Sequence, residues 1–165
     1  MERIDTRSPF IGIVGTGTCP PELGELAAEV GREVARKGAV LICGGLGGVM
    51  TEAARGAKEI GGTTLGILPG PSTGEANEFI DFPIATNMGQ ARNAIIVQTA
   101  DVLISIGGGY GTLSEIGLAL KIGKGVIALH PQFEIAGVLT VQTAMEAVNE
   151  ALTLIEFGRK PPSVV

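Results

Sequence analysis

The sequence has no tryptophan, one tyrosine and one histidine among its 165 residues. Stacking partners for a flat ligand are therefore scarce, with Tyr110 the sole tyrosine. His130, the lone histidine, has no second histidine and no nucleophile in pattern beside it, so neither a hydrolytic triad nor a histidine metal site is supported. No other cluster with metal-ligand spacing is visible. Cysteine stops at two, Cys19 and Cys43. They lack the close spacing of a zinc pair and are too few for a disulfide framework, which leaves two reduced thiols at strand ends. Positive charge is also short. Twelve Lys and Arg face 17 Asp and Glu, the net charge is −5, and no basic run occurs. A nucleic-acid surface needs clustered positive charge to release counterions, so that partner class is not expected. No apolar run is long enough to cross a bilayer, and no charged start precedes an apolar leader. The expected location is the cytoplasm, with no membrane partner.

Glycine is what the chain has in excess, at 26 residues, beside a hydrophobic fraction of 45% and a mean hydropathy of +0.38. Glycines close four short apolar runs, FIGIVG (10–15), AVLICGG (39–45), TTLGILPG (63–70) and DVLISIGGG (101–109), and GVIALHP (125–131) is a fifth run of the same kind, ended by proline. Runs of Val, Ile and Leu without alternation read as strands buried on both faces, as in parallel sheets. Helical segments separate them, over 20–38, 47–62, 88–100, 111–124 and 143–157. The first opens on proline and closes at Gly38, the expected order of start and stop. Alternating strand and helix predicts an α/β fold, a Rossmann-like doubly wound parallel sheet. No linker precedes the tail GRKPPSVV, so residues 1–165 read as a single nucleotide-binding domain. The segment 69–83 is the longest irregular piece, rich in Pro, Gly and polar residues, and loops of that length are often functional.

In an open parallel sheet, ligands sit at the carboxyl ends of the strands. Four glycine-rich turns fall there: VGTGTCP, CGGLGGVM, LPGPSTG and IGGGYGT. Glycine lets the backbone approach a ligand, and a following helix offers free N–H groups and the positive end of its dipole. Such turns also serve as plain strand-to-helix connections, but four at one edge favour an anion site. The candidate binding residues are Gly15, Gly17, Gly44, Gly45, Gly108, Gly109, Gly111 and Thr112. GTGTCP lacks the third glycine of the dinucleotide fingerprint, no acidic residue closes the second strand, and no P-loop is present. A single phosphate, as on a mononucleotide, fits better.

Two charged residues stand beside these turns. Thr112-Leu113-Ser114-Glu115 has the form of a capping box, with Thr112 as N-cap and Glu115 folding back. Glu115 equally suits a place beside a bound phosphate and sugar, where a carboxylate stabilises an oxocarbenium-like centre or accepts a proton. Arg92, in NMGQARN, reads either as a solvated helix arginine or as a bidentate ligand of phosphate or sugar. Tyr110 either faces the ligand or covers its turn.

At these residues the chain resembles the LOG family, whose members are often labelled lysine decarboxylase-like. The resemblance rests on CGGLGGVMTEAARGA, GGTTLGILPG, MGQARN and GGGYGTLSE, and covers roughly residues 10–130. It implies a Rossmann-like homodimer that cleaves the N-glycosidic bond of a nucleoside 5′-monophosphate to free base and ribose 5-phosphate, without metal or organic cofactor. It also implies Arg92 and Glu115 as the catalytic pair, with Gly108, Gly109, Gly111 and Thr112 on the phosphate. The family's enzymes have Pro-Gly-Gly and Arg-Lys where this chain has Gly107-Gly108-Gly109 and Arg92-Asn93. The loop GGTTLGILPGPSTGEAN is closer to a second branch, similar to molybdenum cofactor carrier proteins, which bind a pterin phosphate without known chemistry. Enzyme and carrier both keep the arginine and the glutamate, so these two residues do not separate them.

Overall fold

The computed structural model describes residues 7–159. The chain ends that belong to the expected domain 1–165 lie outside the described residues, as does most of the tail. Seven strands form one sheet in the order β4-β3-β2-β1-β5-β6-β7, and every neighbouring pair is parallel. The five expected strands are β1 (Phe10–Gly15), β2 (Val40–Cys43), β3 (Thr63–Leu68), β5 (Val102–Ile106) and β6 (Val126–Leu129). Their apolar runs are buried because helices cover both faces. All five residues of β5 and all four of β6 are inaccessible. Each fully buried Ile or Leu in these strands stabilises the fold by roughly 1.5–3 kcal/mol before entropy is counted.

Helices α1 (Pro21–Arg36), α2 (Val49–Glu59) and α5 (Ala144–Arg159) cover one face. Helices α3 (Asn93–Thr99) and α4 (Tyr110–Lys121) cover the other. The doubly wound Rossmann-like expectation therefore holds. Winding proceeds outward from β1 to β4, then the chain returns to lay β5 on the far side of β1. The junction of β1 and β5 is the topological switch point, the place where such sheets open a crevice.

The α1–α2 contact is unusually close. A Cβ on Gly31 would run into the Ala53 carbonyl oxygen, and one on Gly56 would run into that of Ala28. Outside this contact, Arg32 bonds Glu25, Glu29 and Glu59, while Arg55 bonds Glu52 and Glu59. Such surface pairs each contribute little to stability.

Two strands were not expected. β4 (Phe82–Ala85) begins in the last two residues of the segment expected to be irregular, 69–83, and β7 (Leu139–Val141) ends the opposite edge. Both are short and mostly exposed edge strands, and β4 contains Pro83, so neither carries the continuous apolar signal. Within 69–83 the chain makes a single 3₁₀ turn, Thr73–Glu75. The helix expected from residue 88 starts instead with a 3₁₀ turn, Gly89–Arg92, and becomes α-helical at Asn93.

Candidate functional site

At the carboxyl ends of β1, β2 and β5 lies a cavity of about 320 Å³. The turn after β1 supplies Gly15, Thr16 and Gly17, and the turn after β2 supplies Gly44 and Leu46, with Met50 beside them on α2. The 3₁₀ turn and the start of α3 supply Gln90, Arg92 and Asn93. The start of α4 supplies Gly109, Gly111, Thr112 and Glu115. Eight expected residues are thus brought to one cavity: Gly15, Gly17, Gly44, Gly109, Gly111, Thr112, Arg92 and Glu115.

Gly45 and Gly108 are not on this wall. Gly45 packs toward Leu68 and Gly66 while its carbonyl accepts from the Asn77 amide at 2.9 Å. Gly108 turns its α-carbon toward Thr112 on the other side of the β5–α4 connection, at φ +107°. Both are conformational residues of their turns. Gly44, by contrast, faces the site itself. A Cβ there would sit 2.6 Å from Nη2 of Arg92 and 2.8 Å from Sδ of Met50. Its absence lets the guanidinium lie against the strand end.

The expected capping box does not form. Helix α4 begins at Tyr110, two residues before Thr112, with Gly109 as N-cap and no side chain capping it. Thr112 and Glu115 consequently fall inside the helix and are buried. Leu113 makes the first intrahelical bond, its N–H donating to the Gly109 carbonyl at 2.9 Å. The amides of Tyr110, Gly111 and Thr112 therefore have no helical acceptor. Together with the dipole, amides of this kind favour an anion.

Arg92 and Glu115 are each 8% exposed. Neither is the solvated side chain or the local cap that the sequence also allowed. Nε of Arg92 is sealed from water and has no hydrogen-bond partner, and the same is true of Oδ1 of Asn93. Burial lowers the Arg92 pKa, partly offset by Glu115 and Cys43. Burial raises Glu115 to about 7, with Arg92 pulling the other way. At neutral pH the glutamate thus stands near its midpoint. A buried cation and the free amides of a helix start thus border one cavity.

The other candidates lie outside the cavity. Tyr110 is 83% exposed and packs against Phe133 with ring centroids 5.8 Å apart, so it covers the turn. His130 is exposed at the end of β6 with φ +48°. Cys43 is a buried free thiol at the end of β2, and Cys19 is a half-buried free thiol beyond β1. The irregular segment acts as a brace. Nδ2 of Asn77 donates to the Leu46 carbonyl at 2.9 Å, fixing the turn that carries Gly44 and Leu46. Sequence reasoning missed Ile13, Val14, Thr16, Leu46, Met50, Gln90 and Asn93. Six of these lie within two positions of expected residues, a proximity that could have pointed to them, whereas Met50 carried no such signal. Among the described residues there is no group of three or more His, Cys, Asp and Glu able to hold a metal ion. Nor is any described helix long and apolar enough to cross a membrane.

Comparison with known proteins agrees with this architecture. The chain is 51% identical over 143 residues to an uncharacterised protein of Archaeoglobus fulgidus, covering 87% of this chain and 94% of that one. It superposes on the molybdenum cofactor binding protein of Rippkaea orientalis with a TM-score of 0.86 and 36% identity, over 91% of this chain and 99% of the other. It is 38% identical over 99 residues to the cytokinin riboside 5′-monophosphate phosphoribohydrolase of Mycobacterium tuberculosis, covering 58% of this chain. That match spans about half of the enzyme's length, 52%. The model of the SLOG cluster4 family matches residues 8–156, and the chain belongs to that family.

Proposed function

We propose that this protein binds a phosphorylated heterocycle in the β1–β5 cavity and holds it without cleaving it, as a carrier of a pterin phosphate such as molybdenum cofactor. The observation that carries the reading is the meeting of Arg92, buried with Nε unpartnered, and the free amides at the start of α4 in one cavity. The phosphate lies on the amides of Gly111 and Thr112 with Arg92 beside it, and Leu46 and Met50 offer apolar contact to the ring. Glu115 borders the same cavity, its carboxyl raised to about 7 by burial with Arg92 pulling the other way. Resemblance over nearly the whole length of the Rippkaea protein, against about half of the phosphoribohydrolase, favours holding over cleaving.

A hydrolase reading has one specific observation in its favour. A carboxyl raised to about 7 is tuned for general acid work, and protonating the leaving base is such a step. Self-association belongs to the proposal as well. The α3–α4 layer has two helices where the opposite face has three, and the half-buried Ile95, Leu118 and Leu120 lie on it. Light scattering on the purified chain would report the mass directly. The binding reading is tested by thermal denaturation with ribose 5-phosphate and with a pterin phosphate. Ligand at a hundred times its Kd stabilises the fold by about 2.7 kcal/mol. A melting temperature that neither compound moves would refute the reading.

A further inference from the structure

We infer that Asn93 is the residue that selects the ring of the ligand, by pairing with an edge on which an N–H stands beside a C=O. The inference rests on the phosphorylated-heterocycle reading and adds the group that reads the ring. Asn93 is the first residue of α3, directly after Arg92, and lines the same cavity. Its backbone N–H closes the preceding 3₁₀ turn by donating to the Ala91 and Gln90 carbonyls, but its side chain caps nothing, and its Oδ1 is sealed from water without a partner among the described residues. An amide left in this state is costly to the folded protein, since a buried polar atom without a partner forfeits its hydration. A ligand that satisfies it removes that cost.

The chemistry of the vacant partner follows from the amide. Asn presents one acceptor and two donors in a plane, and a half-turn of its terminal torsion exchanges them. Its complement is a planar edge with a donor next to an acceptor. Among phosphorylated heterocycles, the lactam of a pterin and that of guanine both present this edge. The other groups on the wall are differently suited. Arg92 and the amides of α4 take the anion, Leu46 and Met50 are apolar, and Gln90 is exposed. A lysine at position 93 would offer only donors and a charge, so the amide changes what the site can discriminate.

The test measures Kd by calorimetry for GMP, for purine riboside 5′-monophosphate, for 6-hydroxymethylpterin phosphate and for ribose 5-phosphate. The unsubstituted purine keeps the ring and phosphate but has no N–H beside a C=O. Wild type should prefer GMP over it by on the order of ten- to a hundredfold, the usual discrimination of a bidentate amide pair. Asn93→Leu should erase that preference, cost GMP far more than it costs ribose 5-phosphate, and melt no lower than wild type, since it deletes an unpartnered polar group. Asn93→Ala is the second variant and should behave alike. If the pterin phosphate exceeds GMP in wild type and loses the same factor in the variants, the edge belongs to a pterin. The reverse ranking with the same loss assigns it to a nucleotide. A wild type that binds ribose 5-phosphate without preferring GMP overturns the inference alone, as does a parallel loss of ribose 5-phosphate in Asn93→Leu. A wild type that binds none of the four overturns the phosphorylated-heterocycle reading, and the inference with it.

Discussion

Glu115→Gln should make the protein more stable at alkaline pH and leave its stability at acid pH unchanged. The carboxyl titrates at about 7 in the folded protein because burial disfavours its charge, against an ordinary value of 4.5. Its folded pKa is therefore raised. Below about 4.5 the group is neutral in both states and contributes nothing to the difference. Between about 4.5 and 7 the folded protein retains a proton that the unfolded chain releases, so stability falls as pH rises. Above 7 the loss is complete. It amounts to about 2.5 pKa units, or about 3 kcal/mol, at 1.36 kcal/mol per unit. The group is only 8% exposed, so solvent screening removes little of this. Gln has the same shape and is neutral throughout. Wild type and variant should melt together at pH 4.5, while at pH 8.5 the variant should melt higher by roughly 6–12 °C for a domain of this size. The comparison within a pair cancels the carboxylates whose values are lowered by arginine partners, such as Glu29 and Glu59, which act in the opposite direction. Urea denaturation at the two pH values gives the same difference in free energy. Parallel curves for the two proteins across this range would refute the account of Glu115.

Arg92→Ala should weaken ribose 5-phosphate binding by at least about tenfold, the worth of a charged hydrogen bond, and should lower the melting temperature at alkaline pH, because the ionised Glu115 loses the buried cation that attracts it. Calorimetry and thermal denaturation of the same sample separate the two effects. Gly56→Ala should cost at least about 2 kcal/mol, since its Cβ meets the Ala28 backbone and α1 and α2 must part; denaturant titration measures it. Native protein should offer a thiol reagent Cys19 only, and slowly, as burial and then Glu52 raise its pKa. Cys43, pushed up to about 11 by burial, should react on unfolding. Ellman titration with and without denaturant counts the two.

The sheet was legible because β1, β2, β3, β5 and β6 are apolar on both faces, and that signal is local. β4 and β7 lack it, being short edges exposed to water, and their pairing is fixed by the neighbours they meet. Position at the switch point followed from the glycine turns, but which way each glycine faces did not. Gly44 and Gly45 are adjacent, and only the first borders Arg92, because the second takes φ +73° and turns toward Leu68. The capping box misled for a related reason. Gly109 enters the helix with φ −110° and ψ −145° and needs no side chain, so the helix starts early and carries Thr112 and Glu115 into the interior. That shift converts Glu115 from a surface cap into a buried acid. Asn93 was equally hidden, because an amide without a partner shows itself only once the surrounding chain is in place.

The central claim is that the cavity holds a phosphorylated heterocycle intact. Protein at stoichiometric concentration, incubated with AMP and separately with 6-hydroxymethylpterin phosphate, should raise its melting temperature with at least the pterin compound. Chromatography of the AMP sample should find no more free adenine than the protein-free control. Free adenine above that control, absent with Glu115→Gln, would contradict the claim and make the protein a phosphoribohydrolase with Glu115 as its acid.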